Sequence, residues 1–165
     1  METLSYRNAT PADIPLISQL FKDTVLTVNR KDYTDEETAD WASCGDSTSH
    51  WKELVNSLYF IIATCPDGSL AGFAAIRADG YLHSMYVHKD RQRLGVASRL
   101  LDIMETHARL NGLTEITSDV SITARPFFEK KGYTVKKEQK AKANRLYMTN
   151  YKMRKTLLPT INQQQ

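Results

Sequence analysis

The residues best equipped for chemistry lie in the run Gln92-Arg93-Leu94-Gly95-Val96-Ala97, which follows His88-Lys89-Asp90-Arg91. Basic and small residues meet there, just where a helical pattern begins. The first turn of a helix leaves amide N–H groups unpaired and carries a positive partial charge, so a small-residue entry beside Arg91 and Arg93 suits a phosphate or pyrophosphate. Metal chemistry has less support. Cys44 and Cys65 are the only cysteines, and neither lies in a close pair, which argues against a disulfide framework or a zinc cluster. Both read as free thiols, and no metal site is expected.

The elements that must position this run are legible on either side. Residues 81–87 are rich in aromatic and β-branched types and stop at a charged run, as a strand does. Beyond the loop, Val96, Leu100, Ile103, Met104 and His107 recur at helical steps, while Arg99, Asp102, Glu105 and Arg109 point elsewhere. Upstream, residues 59–65 and 70–77 are strand-like runs joined by Pro66-Asp67-Gly68-Ser69, so they form an antiparallel hairpin that leads into the strand at 81–87. Downstream, Asn111-Gly112 stops the helix and 114–120 reads as a strand. A helix crossing between two strands implies a parallel pairing and a right-handed crossover.

The flanks follow the same grammar. A short strand at 4–7 precedes a helix capped by Thr10 with Pro11 behind it, running to about residue 29. Its stripe is Ile14, Ile17, Leu20, Phe21, Thr24, Val25 and Val28. Thr34 and Glu37 are spaced for a capping box, with Trp41 one turn further on. Residues 42–49 read as a loop and 50–58 as a short helix. Near the end, Thr123 caps a short helix that stops at Lys131-Gly132, and 133–138 and 146–153 read as strands. One domain over 1–154 is expected, with 155–165 as a poorly ordered tail.

Hydrophobic residues at 41% and charged residues at 25% suit a soluble globular chain rather than a disordered or fibrous one. No apolar run is long enough to cross a bilayer, and residues 1–10 lack a signal-peptide pattern, so a cytoplasmic location is expected. The net charge of +3 comes largely from the last third. Those basic residues are spread over several elements and follow no binding motif, so a solvated surface is favoured over nucleic-acid binding, and neither nucleic acid nor membrane is expected as a partner.

The segments MYVHKDRQRLGVASRLL and SDVSITARPFFEKKGY, taken together, resemble the GNAT superfamily of N-acetyltransferases, whose signature Q/R-x-x-G-x-G/A is met by Gln92, Gly95 and Ala97. The hairpin upstream and ARPFFEKKGY downstream fit the family's element order. The stretch VNRKDYTDEETADW also resembles the acceptor-side segment of small bacterial members. The resemblance implies an α/β (α+β) fold: a mixed, mostly antiparallel central sheet with a splayed pair of strands, flanked by helices. It implies acetyl-CoA as acyl donor, with no metal, and an acceptor that is a small-molecule amine or a protein amine. A homodimer is compatible with it.

Residue by residue, the resemblance implies that the pyrophosphate rests on the loop of Gln92, Arg93, Leu94, Gly95, Val96, Ala97 and Ser98, and that the pantetheine arm bonds the main chain of Met85, Tyr86 and Val87. Where relatives often carry Asn beside the arm, this chain has Ser121; helical spacing from there sets Ala124, Phe128 and Lys131 on one cofactor-lining face. The Val87 amide is the expected oxyanion donor. His83, four residues before it on the same strand face, is the candidate general base and contacts the acceptor. His50, His88 and His107 belong to a helix start, the loop and the helix stripe. Many relatives carry Tyr in the fourth helix where this chain has Phe128, so the general acid stays open among Tyr86, Tyr133, Tyr147, water and the ammonium product. Tyr33 and Trp41 are expected to shape the acceptor pocket, with Asp32, Asp35 or Glu37 able to attract a cation. The expected activity is direct acetyl transfer in a ternary complex. A non-catalytic CoA-binding module is the alternative.

Overall fold

The computed structural model describes residues 3–158. Its frame is one seven-stranded sheet: β1 (Ser5–Asn8), β2 (Tyr59–Thr64), β3 (Leu70–Ile76), β4 (Tyr81–Val87), β5 (Glu115–Ser121), β6 (Thr134–Lys142) and β7 (Tyr147–Thr156), in the order β1-β2-β3-β4-β5-β7-β6. Every pairing is antiparallel except β4 with β5, which is parallel and short: Tyr81 stands opposite Thr117 and Leu82 opposite Ser118, and the strands then separate. The mixed, mostly antiparallel sheet with one splayed pair is the fold the sequence implied.

Two apolar cores sandwich the sheet. On one face, α1 (Ile14–Thr27), α2 (Asp35–Ser43) and α3 (Thr48–Ser57) pack Ile17, Phe21, Val25 and Trp51 against Phe60, Ile62 and Phe73. On the other, α4 (Val96–Leu110) and α5 (Arg125–Lys130) pack Leu100, Met104 and Phe128 against Ile61, Ile116 and Met153. Strand β3 lies between both cores and all its residues are buried, which explains its unbroken apolar sequence. Gly72 is required there: a Cβ would sit 2.8 Å from the Tyr86 carbonyl oxygen and 3.2 Å from Val96 and Leu100, so the helix could not lie as close.

Several expectations are corrected. The stretch 42–49 is not a simple loop, because α2 continues to Ser43, a tight turn spans Cys44–Asp46 and α3 begins at Thr48. Small polar residues masked this; Gly45 is buried, and its carbonyl accepts from Ser18 Oγ at 2.7 Å and Trp51 Nε1 at 2.9 Å. Glu105 does not face solvent. It is buried, accepting from the Tyr133 hydroxyl at 2.8 Å and pairing with Lys155 at 3.1 Å. The boundary at 154 also falls too early: β7 runs to Thr156 and Leu157 is 3% exposed in the core. The rest of the expected tail, 159–165, lies outside the described residues. No described helix is long and apolar enough to cross a membrane.

Candidate active site

Separation of β4 from β5 opens a cleft of about 690 Å³. Its β4 wall is an unpaired strand edge. His88 donates its backbone N–H to the Ala71 carbonyl at 2.8 Å, which places His88, Tyr86 and Ser84 in the hydrogen-bonded register with β3. Main-chain groups alternate along such a ladder, so those of Met85 and Val87 point the other way, into the cleft. The Val87 carbonyl is taken there by Thr24 Oγ1 at 3.1 Å and Gln92 Nε2 at 2.7 Å. The Met85 N–H and C=O and the Val87 N–H are left on the open side. Tyr86 is thereby corrected: its main chain belongs to β3, and its ring packs edge-on to Phe21 at 5.0 Å and lies 6.4 Å from Trp41.

At the end of β4 the loop turns into α4. Arg93 is the only described non-glycine residue with positive φ, at 62°, and Gly95 follows at 87° as the residue capping α4. Left-handed residues one position apart beside a helix start are the backbone geometry with which a loop can cradle an anion. Gln92, Arg93, Gly95, Ala97 and Ser98 line the cleft. Leu94 is 69% exposed and Val96 is buried in the core, so their side chains do not face the cleft. The Gln92 side chain serves as a brace, since its amide bonds the Val87 and His88 carbonyls.

On the opposite wall, Ser121, Thr123, Ala124 and Phe128 line the cleft, but Lys131 does not; Lys130 stands there instead, while Lys131 lies over the Phe127 ring at 5.7 Å. The Ser121 hydroxyl accepts the Ala124 amide at 3.1 Å, holding the turn into α5. Thr123 is different. The residue lines the cleft, while its Oγ1 is buried behind that surface as an unsatisfied polar group. The sequence read it only as a helix cap. Phe128 is 4% exposed and lies edge-on to Tyr133 at 5.1 Å.

His83 reaches the cleft by a device the strand pattern hid. Ala75 pairs with Ser84 and the next residue, Ile76, with Leu82, so His83 is the extra residue of a β-bulge. A bulge breaks the alternation of faces, and the expectation that His83 shares a face with Val87 by simple alternation is corrected. Its Nδ1 lies 2.6 Å from Ser84 Oγ. When Nδ1–H is the donor, Nε2 keeps its lone pair. The packing around the ring lowers its pKa, and the nearby His50 and Arg77 push the same way, so neutral imidazole is favoured at neutral pH. Among the tyrosines, Tyr133 is tied to buried Glu105 and Tyr147 is 63% exposed away from the cleft; Tyr86 lines it, with a phenol whose pKa burial raises.

Of the residues expected on the acceptor side, Tyr33 and Trp41 line a smaller pocket of about 150 Å³ between α2 and the β6–β7 hairpin. Trp41 lines both cavities. Tyr33 lines only the smaller one, and its hydroxyl is committed: it donates to the Thr149 carbonyl at 2.6 Å and accepts the Ile122 amide at 2.9 Å, while burial pushes its pKa up to about 12. Asp40 clamps this side. Its side chain, 1% exposed, accepts the amides of Asn144 at 3.0 Å, Arg145 at 2.9 Å and Leu146 at 3.0 Å. The Leu146 amide foremost, with those of Arg145 and Asn144, holds its carboxyl below the usual carboxylate range. Asp32, Asp35 and Glu37 line neither cavity, and Glu37 closes the capping box with Thr34. No group of three or more His, Cys, Asp or Glu side chains converges on a metal position among the described residues.

The sequence and the fold are shared with known proteins. The model of the acetyltransferase (GNAT) domain matches residues 29–155. The chain is 29% identical over 154 residues to the uncharacterized N-acetyltransferase YafP of Escherichia coli K12, covering 93% of this chain and 97% of that one. Among solved structures, a GCN5-related N-acetyltransferase from Rhodopseudomonas palustris superposes with a TM-score of 0.90 at 29% identity, covering 95% of this chain and 98% of that one. The PaiA N-acetyltransferase of Thermoplasma acidophilum, solved with coenzyme A, shares the fold with a TM-score of 0.77 at 16% identity, covering 93% of this chain and 99% of that one. On the domain match and the architecture together, this chain belongs to the GNAT acetyltransferase family.

Proposed function

We propose that the protein transfers an acetyl group from acetyl-CoA to a primary amine by direct attack in a ternary complex. One observation carries the reading: the unpaired main-chain edge of Met85 and Val87 runs along an open cleft toward the concave loop of Arg93 to Ser98. An extended amide-bearing arm can add to that edge as a further strand, and the loop can hold its phosphates. Thr123 lines the other wall, and a rotation of its side chain that turned the buried, unpartnered hydroxyl outward would give the arm a hydrogen bond there. Coenzyme A has these parts in this order, and it is the molecule named with the Thermoplasma relative.

The chain's own residues then have distinct tasks. The Val87 N–H donates to the thioester oxygen as the amine nitrogen bonds to the carbonyl carbon, stabilising the oxyanion. His83 Nε2 accepts the proton that the attacking nitrogen sheds, and the carbon–sulfur bond breaks to release the thiolate. The thiolate takes its proton from solvent or from protonated His83, since Phe128 has none to give. Holding amine and thioester in attack geometry supplies much of the rate, so a site with few ionisable groups suffices.

Phe128 on the cleft wall supports a second reading, a CoA-binding module without turnover. Thiol release from acetyl-CoA across a panel of amines separates the two, with His83→Ala and Gly95→Glu beside the wild type. Transfer reduced in the first variant with acetyl-CoA binding intact supports the enzyme. Binding without turnover across the panel supports the module, and failure to bind acetyl-CoA overturns both.

A further inference from the structure

The large cleft and the smaller pocket are walled in common by Trp41, Tyr86, Asp119 and Ser121, so the two cavities meet at these residues. Asp119 is the one carboxylate among them. It lies on β5, where neighbouring Ser118 and Val120 face the α4 core and Asp119 faces the α2 side. Its Oδ2 accepts from the Tyr81 hydroxyl at 2.9 Å and its Oδ1 from Gln139 Nε2 at 2.9 Å. Each carboxylate oxygen has two lone-pair directions, so the group is oriented by two neutral donors and keeps acceptor capacity. A second acceptor is close in register. Asn150, opposite Ser121 on β7, lines the smaller pocket, and its Oδ1 is buried without a partner. Trp41 and Tyr33, edge to face at 5.6 Å, add aromatic walls.

The charges around this point leave Asp119 available. Lys152 stands opposite it on β7 and Lys142 lines the smaller pocket, but both are exposed and neither forms an ion pair with Asp119 among the described residues. His83, on the wall of the adjoining cleft, is favoured neutral.

The geometry points to Asp119 as the residue that holds the acceptor's ammonium where the two cavities meet, with Asn150 able to join it by turning its buried Oδ1 into the pocket, so that the substrate is a small primary amine that enters as a cation and gives one proton to solvent before its nitrogen attacks. A carboxylate and an amide oxygen beside aromatic rings recognise an ammonium, and an uncharged alcohol of the same shape gains little there. This assignment rests on the proposed acetyl transfer for its purpose, yet binding tests it separately.

Protein saturated with CoA is titrated with n-butylamine, 1,4-diaminobutane and n-butanol by calorimetry, and the same compounds are tried as acceptors with acetyl-CoA. Both amines are expected to bind and butanol not to. Asp119→Asn, at an exposed position where the isosteric amide leaves the fold intact, is expected to weaken amine binding about tenfold or more without changing CoA affinity, and Asn150→Leu to weaken it less. Equal amine affinity in the wild type and Asp119→Asn overturns the assignment, as does butanol binding as well as butylamine, or no amine binding at all. Asp119-dependent amine binding without acetylation sustains the assignment and, when it holds across the amine panel, overturns the transferase reading instead.

Discussion

The large cleft and the smaller pocket, which we assign to donor and acceptor, are built on opposite principles. The donor side comes from nearly contiguous chain, the strand edge of β4, the loop and the start of α4, and it works through main-chain groups. The acceptor side is assembled from α2, β5, β6 and β7, held by side-chain contacts across long sequence separations, such as Asp40 to the 144–146 amides and Tyr33 to Thr149. A main-chain site tolerates side-chain change while its backbone conformation is kept. A side-chain site can vary its chemistry while the fold stays the same, which suits a pocket that selects among acceptors.

The comparison breaks most sharply at Gly95. A Cβ there meets nothing within 4 Å, so Gly95→Glu costs local strain rather than a clash, through its φ of +87°, and adds an anion to an anion site. CoA affinity is expected to fall on the order of 100-fold or more, equivalent to about 3 kcal/mol, with far-UV circular dichroism unchanged. On the chemical step, His83→Ala is expected to reduce kcat about 100-fold while CoA affinity stays the same. The sign of the pH effect follows from the lowered pKa. A base must be unprotonated, so wild-type kcat/KM for the amine falls only as pH drops through a value below the ordinary histidine one, and His83→Ala loses that limb. A limb that persists in the variant assigns the titration to another group.

On the acceptor side, Asp40→Ala removes the carboxylate that gathers the three amides of the β6–β7 turn. The turn loosens against α2, and KM for the amine is expected to rise about tenfold with CoA affinity unchanged, because positioning is lost and the donor loop is untouched. Hydrogen exchange of the Asn144, Arg145 and Leu146 amides should quicken in parallel. An unchanged exchange rate would show that the clamp does not govern that turn.

The same division decides what could be read from sequence. The donor side was legible because its signals are local: a strand composition ending at a charged run, Gly95 at a helix start, and the helical stripe from Val96 to Met104. Even there, the bulge at His83 left no mark, since an extra residue changes the register with β3 without changing the composition of β4. Gln92 fitted the signature while its side chain braces the Val87 carbonyl. On the proposed acceptor side, the sequence pointed to Trp41 and Tyr33, whereas Asp119 and Asn150 sit in ordinary strand alternation on β5 and β7. Only the pairing of those strands brings them together. Glu105 shows the same limit, a charged residue buried because Lys155 on β7 and Tyr133, just before β6, reach it from distant chain.

Thr123 gives the smallest and most discriminating prediction, because its hydroxyl separates donor binding from stability. In the free protein the buried Oγ1 lacks a partner, and such a group costs about 1–3 kcal/mol when left unsatisfied. Thr123→Val replaces it with a methyl group of similar shape, so the free variant should melt at the same temperature or slightly higher. If the hydroxyl serves the pantetheine arm, the same substitution should raise KM for acetyl-CoA about fivefold, equivalent to about 1 kcal/mol, and leave KM for the amine unchanged. A more stable variant that binds acetyl-CoA less tightly fits a hydroxyl kept for the donor. A more stable variant with unchanged KM assigns Thr123 no part in the cleft and leaves the Met85 and Val87 edge to hold the arm alone.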